Sequence, residues 1–164
     1  MDFLCNDKNI KFIFIDDDIA YGSGLFIKRE KFLNLYFDRM KTLLKKPKDK
    51  NILIAYHTDG KLDEILPILI DLGINAIHPI EPTYNNIYEI KKKYGQKLCL
   101  CGNIDLVLLT NGKREAIRED VEKHLNCLKE NGGYVCGTSS SLYKGIPPEN
   151  YLELVKTVHE IGYY

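Results

Sequence analysis

Two neighbouring apolar runs in this chain end in residues that can carry protons. The run from Ile52 to Tyr56 stops at His57-Thr58-Asp59-Gly60, and a second short run stops at His78-Pro79-Ile80-Glu81-Pro82. A histidine with a carboxylate two residues on is an acid–base pair in outline. Residues 55, 57 and 59 share parity, so in an extended chain both side chains leave on one side. The other apolar runs also lead into polar clusters: Asp16-Asp17-Asp18, Gly102-Asn103-Ile104-Asp105 and Thr138-Ser139-Ser140-Ser141. The candidate catalytic residues are therefore His57, Asp59, Asp17 and Asp18. The candidate substrate-binding residues are Glu81, Asn103, Asp105 and Ser140. Several of these also have an ordinary structural use. Asp59 could cap the next helix, one or two of Asp16, Asp17 and Asp18 could shape a turn, and Asn103 and Asp105 could close an Asx turn. His124 and His159 fall within helical patterns and read as structural.

A metal is the obvious alternative to proton chemistry. His57, Asp59, Cys101 and Cys136 offer the nitrogen, oxygen and sulfur donors that zinc accepts. Their spacing matches no recognised ligand signature, so the expectation is a site without metal or cofactor. Carboxylates near His57 favour its imidazolium form, and burial opposes it. With several acids nearby, a proton-donating site is expected. Gly22-Ser23-Gly24 is too short a signal to mean phosphate binding.

These residues need strands to hold them. Five short runs, 11–15, 52–56, 75–79, 97–101 and 133–137, are apolar on both faces, as buried parallel strands are. Helical patterns lie between and after them at 28–46, 62–72, 87–94, 113–130 and 149–161. In the first, Phe32, Tyr36, Met40, Leu43 and Leu44 share a face; in the fourth, Ile117, Val121, Leu125 and Leu128 do. Gly73, Gly95 and Gly162 sit where left-handed helix stops are usual. Pro147-Pro148 opens the last helix, and Pro67 should kink or delay the second. The lysine-rich segment 45–50 reads as a solvated loop between helix and strand.

One crossover helix per interval makes the order a repeated βα unit and the sheet parallel. Such a chain is either a five-stranded doubly wound sheet or part of an eight-stranded barrel. Both gather function at the carboxyl ends of the strands, which is where the polar clusters fall.

The 164 residues, 45% of them hydrophobic, suffice for one domain spanning 1–164. Lysine and arginine balance aspartate and glutamate at 23 each, which gives no reason to expect nucleic acid or an anionic membrane as partner. No apolar segment approaches the roughly 18–20 residues that cross a bilayer, and the first residues lack the pattern of a signal peptide. Five cysteines in no CxxC spacing suit reduced thiols, so a cytoplasmic location is expected.

Read together, four segments resemble the uroporphyrinogen decarboxylase family. They are FIDDDIAYGSGLFIKREKF, YHTDGKLDEILPILIDLGINAIHPIEP, YGQKLCLCGNIDLVLLTNGKREAIREDV and GGYVCGTSSSLYKGIPPENYLELV, in that order. The resemblance implies an α/β fold, the C-terminal part of a TIM (β/α)8 barrel. It also implies a carboxy-lyase of tetrapyrrole biosynthesis, acting on a small-molecule substrate without metal. The family's arginines for substrate carboxylates and its central aspartate belong to the N-terminal half of the barrel. The histidine that decarboxylases of the family carry in the closing loop aligns with Ser140. By this reading the chain alone is inactive and works as a homodimer or with a separate N-terminal half barrel. The related corrinoid- and thiol-dependent methyltransferases hold zinc with a His-x-Cys pair and a later cysteine; here the pair is His57-x-Asp59. Methyl transfer is thus the alternative reaction, and a non-catalytic fragment is the third reading.

Overall fold

The apolar runs do form strands, and the helical patterns pack against them. In the computed structural model residues 1–163 are described, and contacts group them into two units, Met1–His78 and Pro79 onward. The first unit runs α1 (Asp2–Asn6), β1 (Phe12–Asp16), β2 (Ala20–Tyr21), β3 (Gly24–Leu25), α2 (Arg29–Phe32), a π-helical turn (Leu33–Phe37), α3 (Asp38–Asp49), β4 (Leu53–His57), α4 (Leu66–Leu72) and β5 (Ala76–His78). β4 lies parallel to β1 on one side and to β5 on the other, with Asp16 opposite His57 and His57 opposite His78. Ile54, Tyr56 and Ile77 are fully buried on one face of these strands. Phe12, Phe14 and Leu53 on the other face remain 51%, 48% and 55% exposed. The expectation of strands buried on both sides is therefore met on one side only. Parallel sheets are ordinarily covered on both.

Other departures from expectation have local causes. The helix expected over 62–72 begins at Leu66, because Pro67 can occupy only the first turn. Asp59 is thus too far upstream to cap it. Segment 45–50 is not a loop: α3 runs through Asp49 with Pro47 buried inside it, and Lys46 pairs with Asp2 at 2.9 Å. Along this helical stretch Phe32, Met40 and Leu44 are buried, whereas Leu43 is 41% exposed. Of the three expected helix stops only Gly73 is left-handed, at φ +81°; Gly95 and Gly162 have negative φ. The β2–β3 hairpin is antiparallel and had no counterpart in the sequence pattern. Tyr21 on this hairpin accepts a hydrogen bond from Lys61 N–H at 3.0 Å.

The second unit contains α5 (Ile87–Tyr94), β6 (Cys99–Cys101), α6 (Leu106–Asn111), α7 (Arg114–Leu128), β7 (Tyr134–Val135) and α8 (Pro148–Ile161). β6 and β7 are parallel, with Leu100 opposite Tyr134. Asn86 caps α5 by accepting from the N–H groups of Tyr88 and Glu89. The expected apolar face of α7, Ile117, Val121, Leu125 and Leu128, is buried, each side chain stabilising the unit by about 1.5–3 kcal/mol. Beside that face Arg118 reaches Glu122 at 2.8 Å and Glu160 of α8 at 2.7 Å.

The tightest backbone approach in the first unit is at Gly60, φ +92°, where a Cβ would stand 2.5 Å from the Tyr21 carbonyl oxygen. Gly60→Ala should therefore cost about 3 kcal/mol, from strain and from displacing the hairpin. Gly24→Ala, also at positive φ but with nothing within 4 Å, should cost less. Urea midpoints of the two variants check the order.

Candidate functional site

Parallel pairing in register places three titratable residues side by side at the strand ends. Asp16 ends β1, His57 ends β4 and His78 ends β5. The loop after β1 brings Asp18 back toward β4, where its Oδ1 accepts the Asp59 N–H at 2.9 Å. As a result Asp16, Asp18 and Asp59 each present an oxygen 3.8 Å from His57 Nε2. The other ring nitrogen is engaged as well: His57 Nδ1 lies 2.9 Å from His78 Nδ1. A contact between two imidazole nitrogens requires one to donate and the other to accept. Phe14, half exposed, lies beside both rings, with centroids 6.1 Å and 5.9 Å away.

Burial, followed by the neighbouring His57, pushes the His78 pKa below its usual value, and Asp59 and Asp16 only partly offset this. His78 is thereby held as a neutral ring, able to accept from His57. The side chain of His57 is 18% exposed, so the pair is sheltered but reachable.

The backbone under the site is fixed by buried polar groups. Thr58 is fully buried; its N–H donates to the His78 carbonyl and its hydroxyl accepts the Ile19 N–H, both at 3.0 Å. Asp17 does not join its neighbours at His57. Its carboxylate accepts from Tyr36 Oη at 2.9 Å, and its carbonyl accepts from Tyr56 Oη at 3.1 Å. The two phenols also touch, and burial raises both of their pKa values, keeping them protonated as donors. Tyr36 sits in the π-helical turn, a feature that recurs at functional sites.

The expected substrate-binding residues lie in the second unit and have mostly local partners. Asn103 is buried; its amide NH2 donates to the Ile80 carbonyl, and its Oδ1 lies 2.9 Å from His124 Nε2. Asp105 accepts from Val107 N–H at 2.8 Å as the N-cap of α6. The Ser140 carbonyl accepts from Thr138 Oγ1, and the Glu81 carbonyl accepts from the Asn85 amide. Two residues of the site were not singled out from sequence, Asp16 and His78. Both end an apolar run, as His57 does, and strand register is the signal that links them.

Asp18, His57 and Asp59 each offer a donor atom, all within 4.8 Å of one another. Asp59 Oδ1 is screened from solvent yet accepts no hydrogen bond. One imidazole nitrogen and two carboxylate oxygens fit a divalent cation such as zinc, so the residues present would accept one. All five cysteines are free. Among the described residues no helix is long and apolar enough to cross a membrane.

Residues 6–161 match the family model described as Uroporphyrinogen decarboxylase (URO-D). A uroporphyrinogen decarboxylase from Nitratiruptor sp. is 26% identical over 140 residues, 82% of this chain and 38% of that protein. One from Aliivibrio salmonicida is 35% identical over 78 residues, 47% of this chain and 22% of that protein. Among solved structures, a methyltransferase from Methanosarcina mazei superposes with a TM-score of 0.71 at 20% identity, covering 93% of this chain and 43% of that one. The chain thus spans well under half the length of the relatives it matches.

The depressed pKa of His78 predicts a pH effect with a definite sign. The folded state resists protonating this ring more than the unfolded chain does, so stability is lost as pH falls from about 6.5 through the folded value. Urea midpoints of wild type should therefore fall more steeply than those of His78→Gln between about pH 7 and pH 5. Parallel slopes would show that His78 is freely solvated.

Proposed function

Because the chain belongs to the uroporphyrinogen decarboxylase family and forms part of its α/β barrel, we propose that it supplies the proton-donating side of a tetrapyrrole decarboxylase-type site. The observation that carries this reading is His57, with three carboxylate oxygens 3.8 Å from Nε2 and the neutral His78 ring against Nδ1. Loss of carbon dioxide from an acetate arm of a pyrrole leaves the bonding electrons on the arm's methylene carbon. Protonating the ring first gives those electrons somewhere to go, and a proton must finally replace the carboxylate on carbon. A protonated His57, with Asp16, Asp18 and Asp59 around its Nε2, can deliver such a proton, and water returns it. In this role His57 and the surrounding carboxylates act without metal or cofactor. The half-exposed Phe14 and Phe12 offer apolar surface to the body of a small-molecule substrate.

The site is rich in acids, whereas a porphyrinogen substrate is itself a polycarboxylate. The four arginines, 29, 39, 114 and 118, all lie on helices, and among the described residues neither Arg29 nor Arg39 forms an ion pair with Asp16, Asp18 or Asp59. Cations that grip substrate must then come from a partner, either a separate N-terminal half barrel or a second copy of the chain. Exposed Phe12, Phe14 and Leu53 on one face of the parallel strands give that partner a surface to cover. We place the assembly in the cytoplasm, in keeping with five free thiols.

A second reading has its own support. The unsatisfied Asp59 Oδ1 would be satisfied by a cation held by Asp18, His57 and Asp59. Such an ion would supply Lewis acidity and lower the pKa of a bound thiol, as methyl transfer to a thiol needs.

Three measurements test these readings. The purified chain alone should show no measurable decarboxylation of uroporphyrinogen and no stoichiometric metal. Turnover comparable to a full-length enzyme overturns the need for a partner. Stoichiometric zinc that is lost in His57→Ala favours the cation reading. Sedimentation of the chain alone should give a dimer, or one-to-one assembly when an N-terminal half barrel is added; a stable monomer that ignores that half counts against the proposed interface.

A further inference from the structure

A second pair of reactive side chains lies in the other unit. Cys99 and Cys101 are the first and last residues of β6. Two positions apart on a strand, their side chains leave on the same side, and the intervening Leu100 is fully buried. Both sulfurs are free and both residues are partly exposed. The Cys101 thiol acts as hydrogen-bond donor toward Cys99. That bond is the main cause of a Cys99 pKa lowered to about 7; burial opposes it and the Lys91 ammonium assists it. The same bond, together with burial, pushes Cys101 upward.

We propose that Cys99 and Cys101 form a dithiol site for a soft, thiophilic ion that takes two sulfur ligands at once, of the copper(I) or trivalent arsenic kind. Soft thiolate pairs select such ions over harder ones. Two sulfurs that are each about 2.3 Å from one metal stand at most about 4.6 Å apart, a range that two side chains leaving the same side of one strand can reach. A direct disulfide is less suited. Alternate residues of a strand have Cα atoms about 6.6 Å apart, near the outer limit of disulfide geometry. Copper(I) binding releases to solvent whichever thiol protons are present and leaves both sulfurs as thiolates. With an arsenic(III) oxide, two S–H bonds break, two As–S bonds form and the oxygen leaves as water. Neither step oxidises or reduces the protein.

The full chain, kept reduced, tests this with two probes: copper(I) in competition with a coloured copper(I) chelator, and phenylarsine oxide followed by intact mass. The expected result is one equivalent bound in at least one arm, lost in both Cys99→Ser and Cys101→Ser and kept in Cys127→Ser, which alters an exposed cysteine on α7. The arm that binds identifies the kind of ion. Cys99→Ala and Cys101→Ala serve as second variants, and circular dichroism confirms that each is folded. No binding in either arm, or binding that survives in folded Cys99 or Cys101 variants, overturns the proposal.

Discussion

The candidate site depends on one constraint, the parallel register that sets Asp16 opposite His57 and His57 opposite His78. Side chains alternate along a strand, so a one-residue slip of β4 would send His57 to the helix-packed face and expose Tyr56 instead. Burial forbids that slip: Ile54 and Tyr56 are fully buried while Leu53 is not. The apolar pattern that stabilises the sheet is thus the same pattern that aims the imidazole. Thr58 then locks the chain just beyond the strand, with one hydrogen bond to the His78 carbonyl and another from Ile19. Such buried polar bonds are costly to break, because each leaves an unpaired group behind.

Around that frame the three aspartates in a row divide their work. Asp16 and Asp18 face His57, and the residue between them turns to two phenols. With Asp59, three carboxylates already surround the ring, and a fourth would add like-charge repulsion. Placing Asp17 on Tyr36 and Tyr56 relieves that crowding and ties the loop to the helical layer. The π-helical turn at Leu33–Phe37 lets Tyr36 take part.

Much of this was legible in the sequence. All five strand runs and five helical patterns have counterparts in the fold, because long apolar periodicity survives tertiary context. What escaped was short or non-periodic. The β2–β3 hairpin has two residues per strand, and its Gly22-Ser23-Gly24 had suggested only an inconclusive glycine loop. The π-helical turn leaves no mark in a pattern read at 3.6 residues per turn. His78 stands at a strand end in the sequence, but nothing there joins it to His57, since pairing register is a property of two strands together. Asp59 looked like a helix cap until Pro67 delayed the helix to Leu66, which frees its carboxylate to face His57. The asparagine of Gly102-Asn103-Ile104-Asp105 bonds to Ile80 and His124, contacts that no local pattern encodes.

The central claim is that His57 donates through Nδ1 to a neutral His78 while its Nε2 faces the carboxylates. Nitrogen-15 NMR of the two rings, in wild type and in His78→Asn, tests it most directly. The account predicts that the His57 Nδ1 signal shows a hydrogen-bonded partner and that this signal shifts when His78 is replaced. Two rings with signals typical of free imidazoles, each indifferent to substitution of the other, would contradict it.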